Sequence, residues 1–321
     1  MLSLLLLACQ GGSDTADTDA AAEAAWSYPL DDELRLTHVQ VKGTHNSYHQ
    51  RPDPVAVGEW DYSHAPLDVQ LDDQGVRQFE LDLHAGDGGW AVYHAPLIDQ
   101  ESSCPALSHC LEVLAAWSAD HGGHLPIFIF LEPKETVEAS DEAYRTMEEE
   151  LLAGLGADAI VTPDEIRGDA ETLADAVAEG WPTLGSLRGR FIFAMLDSGE
   201  HRDAYLAASP MLEGRLIFAE GHAGDAWAAV AKPDDPYSAQ VAADVAAGLL
   251  VRTRADGGLV EDPDRLEVAL SSGAHFLSTD FPGEGVSDSD YVVEVPDGTP
   301  ARCNPVTAPA SCTSAALEAL R

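Results

Sequence analysis

Short apolar runs alternate with stretches of helical pattern through most of this sequence, and this order limits the possible folds more than any other feature. Eight runs are typical of strands, over residues 38–44, 76–83, 90–93, 127–131, 191–196, 215–219, 249–253 and 275–279. Helical stretches lie between them, over residues 105–121, 140–155, 170–179, 238–249 and 264–272. Eight strands alternating with helices over about 250 residues predict one α/β domain, a closed parallel (β/α)8 barrel of the TIM type.

An open, doubly wound sheet is the alternative arrangement for this pattern. Such a sheet normally carries a glycine-rich phosphate loop directly after its first strand, and no such loop follows residues 38–44. The sequence shows no internal repeat and no second domain. We therefore expect a signal over 1–9, an acidic flexible tether over 10–35, a barrel over 36–285 and an irregular tail over 286–321.

The N-terminal residues resemble the end of a bacterial lipoprotein signal. An apolar run over residues 2–8 ends directly at Cys9, which such proteins carry in lipidated form as the new N-terminus. The basic segment that normally precedes the run is missing, which indicates a start further upstream. We expect export, either to the cell envelope as a lipid-anchored protein or into the medium. A chance apolar start with a free cysteine is the alternative.

Four cysteines remain after Cys9, and they form two short-range pairs, Cys104 with Cys110 and Cys303 with Cys312. Each pair can close a small disulfide loop in an oxidising compartment, which agrees with export. Zinc binding is the alternative, but neither spacing is that of the usual metal knuckle. The second pair would hold the irregular C-terminal tail in place.

The chain is strongly acidic, with 17 Lys and Arg against 56 Asp and Glu and a formal net charge of −39. Nucleic acid is therefore a poor partner, because phosphate binding needs basic patches and only three lysines are present. Simple attraction to an anionic membrane is disfavoured for the same reason. Intrinsic disorder of the whole chain is excluded by its 45% hydrophobic residues.

Carboxylates and one amide gather where the predicted strands end, at the face where barrels of this type hold their chemistry. Side chains alternate along a strand, so Glu80 and Asp82 point the same way, into the barrel mouth. Glu132 follows the fourth strand, and three such carboxylates would repel one another unless a cation or a proton intervened. With the Asn46 amide oxygen they form an all-oxygen set that suits a hard divalent ion, Ca²⁺ rather than Mg²⁺ if the site takes more than six ligands.

Two histidines follow the first and third predicted strands, His45 and His94. A histidine near neutral pKa can pass protons to a nucleophile and a leaving group, or stabilise a developing charge when protonated. Asp280 ends the eighth strand, which lies beside the first in a closed barrel. We therefore expect Asp280 to orient His45 through a hydrogen bond.

Lys134, Arg252 and Arg254 are the candidates for holding an anionic group of a substrate. The two arginines share one face of their strand, and a guanidinium suits the paired oxygens of a phosphate. Ion pairing inside a very acidic protein is the other interpretation, and the sequence leaves both open.

These motifs together resemble the calcium-dependent phosphoinositide-specific phospholipase C family, particularly its bacterial secreted branch. The resemblance spans roughly residues 36–312 and is carried by 43–48 (GTHNSY), Glu80-x-Asp82, His94, Glu132-x-Lys134, 251–256 (VRTRAD), 278–282 (STDFP) and 303–305 (CNP).

The resemblance implies a barrel enzyme that cleaves the bond between diacylglycerol and inositol phosphate. Asn46, Glu80, Asp82 and Glu132 would be the Ca²⁺ ligands. His45 and His94 would be the catalytic pair, with His94 as acid, His45 as stabiliser of the transition state and Glu80 or a histidine as base. The inositol 2-hydroxyl would attack the phosphorus.

The implied partner is a phosphoinositide lipid. We expect a monomeric protein that contacts the membrane surface through this substrate and through its lipid anchor. With three lysines in the chain, we expect phosphatidylinositol rather than its polyphosphates. Another barrel phosphodiesterase, of the glycerophosphodiester or sphingomyelinase D type, is the nearest alternative. Its first motif reads His-Arg-Gly where this chain has His45-Asn46-Ser47. A non-catalytic surface lipoprotein is the third.

Overall fold

A computed structural model describes residues 28–86, 88–296 and 300–318 of the chain. Within these residues the strands are β1 Val39–Thr44, β2 Val76–Gly86, β3 Gly89–Val92, β4 Ile127–Pro133, β5 Phe191–Met195, β6 Ile217–Ala219, β7 Val230–Ala231, β8 Leu250–Arg254, β9 Phe276–Thr279 and β10 Ala301–Cys303. The α-helices are α1 Leu67–Asp72, α2 Leu107–Asp120, α3 Asp141–Leu155, α4 Pro163–Arg167, α5 Leu173–Glu179, α6 Leu184–Leu187, α7 Glu200–Ala208, α8 Ala239–Ala246 and α9 Pro263–Ser271.

Eight strands form the barrel wall in the order β6-β5-β4-β2-β1-β9-β8-β7, and each neighbouring pair is parallel. In the described residues β6 and β7 meet at a parallel bridge between Glu220 and Val230, where the Gly221 N–H donates to the Val230 carbonyl at 3.0 Å. The wall is thus nearly closed, and the predicted α/β barrel is confirmed.

The predicted strand over 90–93 is correct as a strand but wrong as a member of the wall. It forms β3, which folds back antiparallel on β2 and lies outside the wall. The true wall strand that the sequence analysis missed is β7, which has two residues, too few to show any alternation of apolar and polar side chains. A second strand outside the wall, β10, pairs antiparallel with β1.

The barrel interior changes from aromatic to acidic along its axis. On β4 the alternating residues Phe128, Phe130 and Glu132 share one face, opposite Gln78, Glu80 and Asp82 of β2 in register. The ring of Phe128 lies 4.4 Å from that of Phe276 on β9, centroid to centroid, although β4 and β9 are not neighbours in the wall. These rings therefore fill the barrel interior, and the carboxylates lie above them at the mouth.

Both ends of the described chain pack at the opposite side of the barrel from the mouth. Leu34 is fully buried, and Asp31 forms a paired salt bridge with Arg188 at 2.7 Å. Near the C-terminus Glu318 pairs with the buried Arg77 at 2.7 Å. The signal and most of the tether predicted for the N-terminal region, Cys9 included, lie outside the described residues.

Both predicted disulfides are present, Cys104–Cys110 before and within α2 and Cys303–Cys312 in the C-terminal region. The second joins β10 to the following loop, and the β10 pairing joins this unit to β1. None of the helices in the described part of the chain is long and apolar enough to span a bilayer.

Candidate active site

A cleft of about 320 Å³ opens at the C-terminal ends of the barrel strands. Its walls contain His45, Glu80, Glu132, Pro133, Leu196, Asp197, Ser198, Glu220, Lys232, Asp234, Arg252 and Arg254. Seven of the eight wall strands supply these residues, and nearly all the residues are polar. This is the face at which barrel enzymes assemble their chemistry.

Three carboxylates lie together at the edge of this cleft. One oxygen each of Glu80, Asp82 and Glu132 lies within 4.8 Å of the other two. The register between β2 and β4 produces this grouping, because Asp82 is paired with Glu132 across the sheet. Glu80 and Asp82 are buried, and Glu132 is partly exposed to the cleft.

The electrostatics of this carboxylate cluster fit a bound cation. Both side-chain oxygens of Asp82 are buried, and Oδ1 has no hydrogen-bond partner among the described residues. Burial and the neighbouring Glu132 raise the pKa of Asp82 to about 7, so protonation or a cation must relieve its charge. Lys134 Nζ lies 2.9 Å from both Asp82 Oδ2 and Glu132 Oε1 and supplies part of that relief.

Asn46 lies directly after β1 with a left-handed backbone (φ 45°), a conformation that asparagine tolerates better than most residues. Two hydrogen bonds fasten the next residue to β2: Ser47 N–H donates to the Glu80 carbonyl at 2.9 Å, and Glu80 N–H donates to Ser47 Oγ at 2.8 Å. These bonds hold the buried Asn46 beside the strand that carries Glu80 and Asp82. The donor set suits Ca²⁺ in chemical type.

His45 sits between two carboxylates. Its Nδ1 donates to Asp280 Oδ1 at 2.8 Å, and its Nε2 lies 3.7 Å from Glu80 Oε1. Burial alone would raise the pKa of Asp280, but His45 and then Arg254 outweigh it and lower that pKa well below its usual range. With Nδ1 engaged by Asp280, Nε2 is the ring nitrogen on the side of Glu80. The contact predicted between the two residues is present; the orienting role stays a prediction.

His94 is not among the residues that line the cleft. Its Nδ1 donates to Asp99 Oδ2 at 2.8 Å, and His49 Nε2 donates to the same carboxylate at 3.0 Å. Asp99 is 1% exposed, and the hydrogen bonds from the two histidines overcome burial and lower its pKa. The rings of Trp60 and His94 are nearly perpendicular, with centroids 5.3 Å apart.

The arginines predicted to hold substrate are both engaged in ion pairs. Arg252 is buried and donates to Glu80 Oε2 at 2.6 Å, and it also pairs with Asp234. Arg254 pairs with Asp280 at 2.8 Å. The alternative of internal ion pairing thus describes these residues in the free protein, and their role toward substrate stays a prediction.

Three residues of the site were missed by the sequence analysis: Asp99, Lys232 and Asp234. Lys232 lines the cleft and pairs with Asp234 at 3.1 Å. Its rarity was a usable signal, because it is one of three lysines in the chain. Asp99 gave no comparable signal among so many acids.

Comparison with known proteins agrees with this geometry. The sequence model of the family described as "Phosphoinositide phospholipase C, Ca2+-dependent" matches residues 34–91 and 86–305. No curated protein matches the chain.

Two solved structures share the fold. A Ca²⁺-dependent phosphatidylinositol-specific phospholipase C from Streptomyces antibioticus has a TM-score of 0.59 and 20% identity, over 78% of this chain and 95% of its own. A calcium-dependent phosphoinositol-specific phospholipase C from Pseudomonas sp. has a TM-score of 0.62 and 17% identity, over 87% of this chain and 98% of its own.

Proposed function

Because the chain belongs to the Ca²⁺-dependent phosphoinositide phospholipase C family of phosphoric diester hydrolases, we propose that it cleaves phosphatidylinositol to diacylglycerol and a cyclic inositol phosphate. The observation that carries this proposal is the pairing of two chemical units in one cleft. One is the cluster of Glu80, Asp82 and Glu132, and the other is His45 held by Asp280.

In the proposed reaction the inositol 2-hydroxyl attacks the phosphorus, and the bond from phosphorus to the diacylglycerol oxygen breaks. The 2-hydroxyl proton passes to a base, and the departing oxygen receives a proton from an acid. His45 is the better base of the two candidates, because Arg252 and then His45 lower the pKa of Glu80 despite its burial. His94 is the proposed acid. Because it does not line the cleft, the diacylglycerol oxygen must meet it at the edge of the barrel mouth.

The proposed metal ligands are Asn46, Glu80, Asp82 and Glu132. Calcium bound by them would neutralise charge on the phosphoryl oxygens and lower the pKa of the attacking hydroxyl. Lys134 already contacts two of these carboxylates and is the candidate for holding a phosphoryl oxygen beside them.

We propose plain phosphatidylinositol as substrate. The cleft is lined by Asp197, Glu220 and Asp234, and its cations Lys232, Arg252 and Arg254 are each paired with a carboxylate. A further phosphate on the inositol ring would meet these acids without a free cation to balance it, which costs electrostatic energy.

A product assay tests the function. Phosphorus NMR of the purified protein with phosphatidylinositol vesicles should show inositol 1,2-cyclic phosphate in the presence of Ca²⁺. Excess chelator should abolish the signal, and added Ca²⁺ should restore it. Activity that persists in chelator contradicts the metal assignment, and activity on glycerophosphodiesters in place of phosphatidylinositol contradicts the substrate.

We also propose export with lipidation at Cys9 and a tether that leads from Cys9 to the packed residues around Leu34. Growth of a bacterial host with labelled palmitate should label the full chain, and Cys9→Ser should remove the label. An unlabelled full chain contradicts the anchor.

A further inference from the structure

The two histidines of the proposed reaction lie on different connections of the barrel. His45 follows β1 directly, and His94 lies shortly after the end of β3. Three buried side chains connect them: His49, Tyr62 and His64 are each at most 3% exposed. The contacts of these three residues decide how the two histidines are held relative to each other.

His49 joins the connection after β1 to the connection after β3. Its Nε2 lies 3.0 Å from Oδ2 and 3.1 Å from Oδ1 of Asp99. The same Oδ2 accepts from His94 Nδ1 at 2.8 Å. The backbones of the two connections meet as well, because His49 forms an antiparallel bridge with Ser102. The carboxylate that holds His94 is therefore itself held by a fully buried ring on another connection.

The His49 ring is fixed from three directions. The Tyr62 ring stacks on it, with centroids 4.2 Å apart and planes 25° apart. The His49 N–H donates to the Asn46 carbonyl at 2.8 Å, and its carbonyl accepts from the His64 N–H at 3.0 Å. Asn46 is the neighbour of His45 in the chain, so His49 is fastened to the same turn that carries His45.

His64 extends these contacts to His45. Its Nε2 donates to the His45 carbonyl at 2.9 Å. Burial lowers the pKa of His64 to about 4, so the ring is neutral at neutral pH. The rings of Tyr62 and His64 cross at 71°, with centroids 5.0 Å apart. An unbroken series of contacts thus leads from His45 through these buried rings to the carboxylate that holds His94.

An imidazole at position 49 is an expensive way to fill this space. Its Nδ1 is buried and has no hydrogen-bond partner among the described residues, which costs desolvation energy. A phenylalanine would fill the same space and stack on Tyr62 without that cost. What it could not do is donate to Asp99, so the bond from Nε2 is the feature that distinguishes His49 from an apolar core residue.

We propose that His49 is a positioning residue that, through Asp99, holds His94 in place relative to His45. This rests on the proposed function and deepens it, because it names what keeps the acid and the base at one separation. His49 does not line the cleft, so it acts through Asp99 and not on the substrate. Without its donor, Asp99 and with it the His94 ring can turn, which misplaces the acid and leaves the cleft unchanged.

Steady-state kinetics on phosphatidylinositol test this first. His49→Phe keeps a stacked ring and removes the donor, so kcat should fall about 10- to 100-fold while KM changes less than about twofold. His49→Leu also lacks the donor and should show the same split. His49→Gln places an amide N–H near the position of Nε2 and should recover most of kcat. The control is His124→Phe, the same change at another buried histidine that does not line the cleft, and its kcat should be unchanged.

A double-mutant cycle separates positioning from a structural role. If His49 acts through His94, then His49→Phe should lower kcat no further in a protein that already carries His94→Ala. A further loss of tenfold in that background would overturn the proposal. So would an unchanged kcat in both His49→Phe and His49→Leu, or a His49→Gln as impaired as His49→Phe.

The His94 Nδ1 proton gives a readout that needs no catalysis. It lies between the ring and the buried Asp99 carboxylate, so its NMR signal, assigned by its loss in His94→Ala, should exchange slowly with water. In His49→Phe the signal should shift and exchange faster, and an unaltered signal overturns the proposal whether or not the protein cleaves phosphatidylinositol. An altered signal in a protein without that activity contradicts the proposed function and keeps the positioning of the ring.

Discussion

Asp99 lies in the loop that follows β3, where its carboxylate contacts His94, the proposed proton donor. It accepts from His94 at 2.8 Å and from His49 at 3.0 Å, away from solvent. Because Nδ1 is engaged by Asp99, Nε2 is the ring nitrogen of His94 that remains for a proton transfer in the proposed reaction. We interpret Asp99 as a positioning residue rather than a catalytic one.

Asp99→Asn should lower kcat by about tenfold or more and leave KM nearly unchanged. The reason is that the His94 ring loses the anionic acceptor that its Nδ1 contacts at 2.8 Å. Steady-state rates with phosphatidylinositol as substrate check this, with the exposed Asp120→Asn as control. An unchanged kcat would assign the acid to another residue.

His45→Ala and His94→Ala should each reduce kcat by about 10²- to 10⁴-fold, the usual contribution of an acid or base. Vesicle binding and the thermal midpoint should change little. His109→Ala on α2 is the control, because that side chain is exposed and does not line the cleft. A loss below about tenfold for either variant removes that histidine from the proposed mechanism.

At the level of single residues, the sequence correctly predicted the placements that follow from the two-residue repeat of a strand and from the order of the strands. Glu80 and Asp82 share a face because they are two apart on β2, and Asp280 meets His45 because the last wall strand lies beside the first. Asp99 and Lys232 reach the site from loops, whose paths depend on tertiary contacts that no local pattern encodes.

At the scale of elements, the barrel has its predicted number of strands for a partly wrong reason. The apolar run at 90–93 was counted as wall, whereas Val230–Ala231 forms the wall strand β7. A hairpin strand and a barrel strand have the same local pattern, and only the pairing partner distinguishes them. β10 was missed because three residues ending in a cysteine carry no strand signal.

The Cys303–Cys312 disulfide should stabilise the C-terminal unit that pairs with β1. The double variant Cys303→Ser with Cys312→Ser should lower the free energy of unfolding by about 2–3 kcal/mol, because the bond closes a loop of nine residues in sequence separation. Urea titration measures this. A change below about 1 kcal/mol would mean that the β1–β10 pairing alone retains the unit.

For the whole molecule, buried histidines set the response to acid. Burial lowers the pKa of His64, His124 and His275 to about 4 in each case. The folded state therefore holds these rings neutral, and the unfolded chain takes up protons first. Stability is complete above the ordinary histidine pKa of about 6.5 and falls as the pH drops from there to about 4.

Each of these histidines should contribute about 1 kcal/mol per pH unit to that fall. In His275→Gln the free energy of unfolding should depend less steeply on pH across this window. His275 is fully enclosed between the Val251 N–H and the Thr37 carbonyl, so the side chain cannot reach water. His109→Gln, an exposed control, should keep the full slope. Equal slopes in both variants would assign the acid sensitivity to carboxylates.

The barrel wall is not equally stable at every strand junction, because in the described residues β6 meets β7 at a single bridge, between Glu220 and Val230. Six consecutive residue pairs join β2 to β4, whereas β7 contributes two residues to the wall. Amide protons along the β6–β7 line should therefore exchange with solvent long before those of β2 and β4. Glu220 and Lys232 flank that line and line the cleft, so we expect one wall of the cleft to be the first part of the barrel to open.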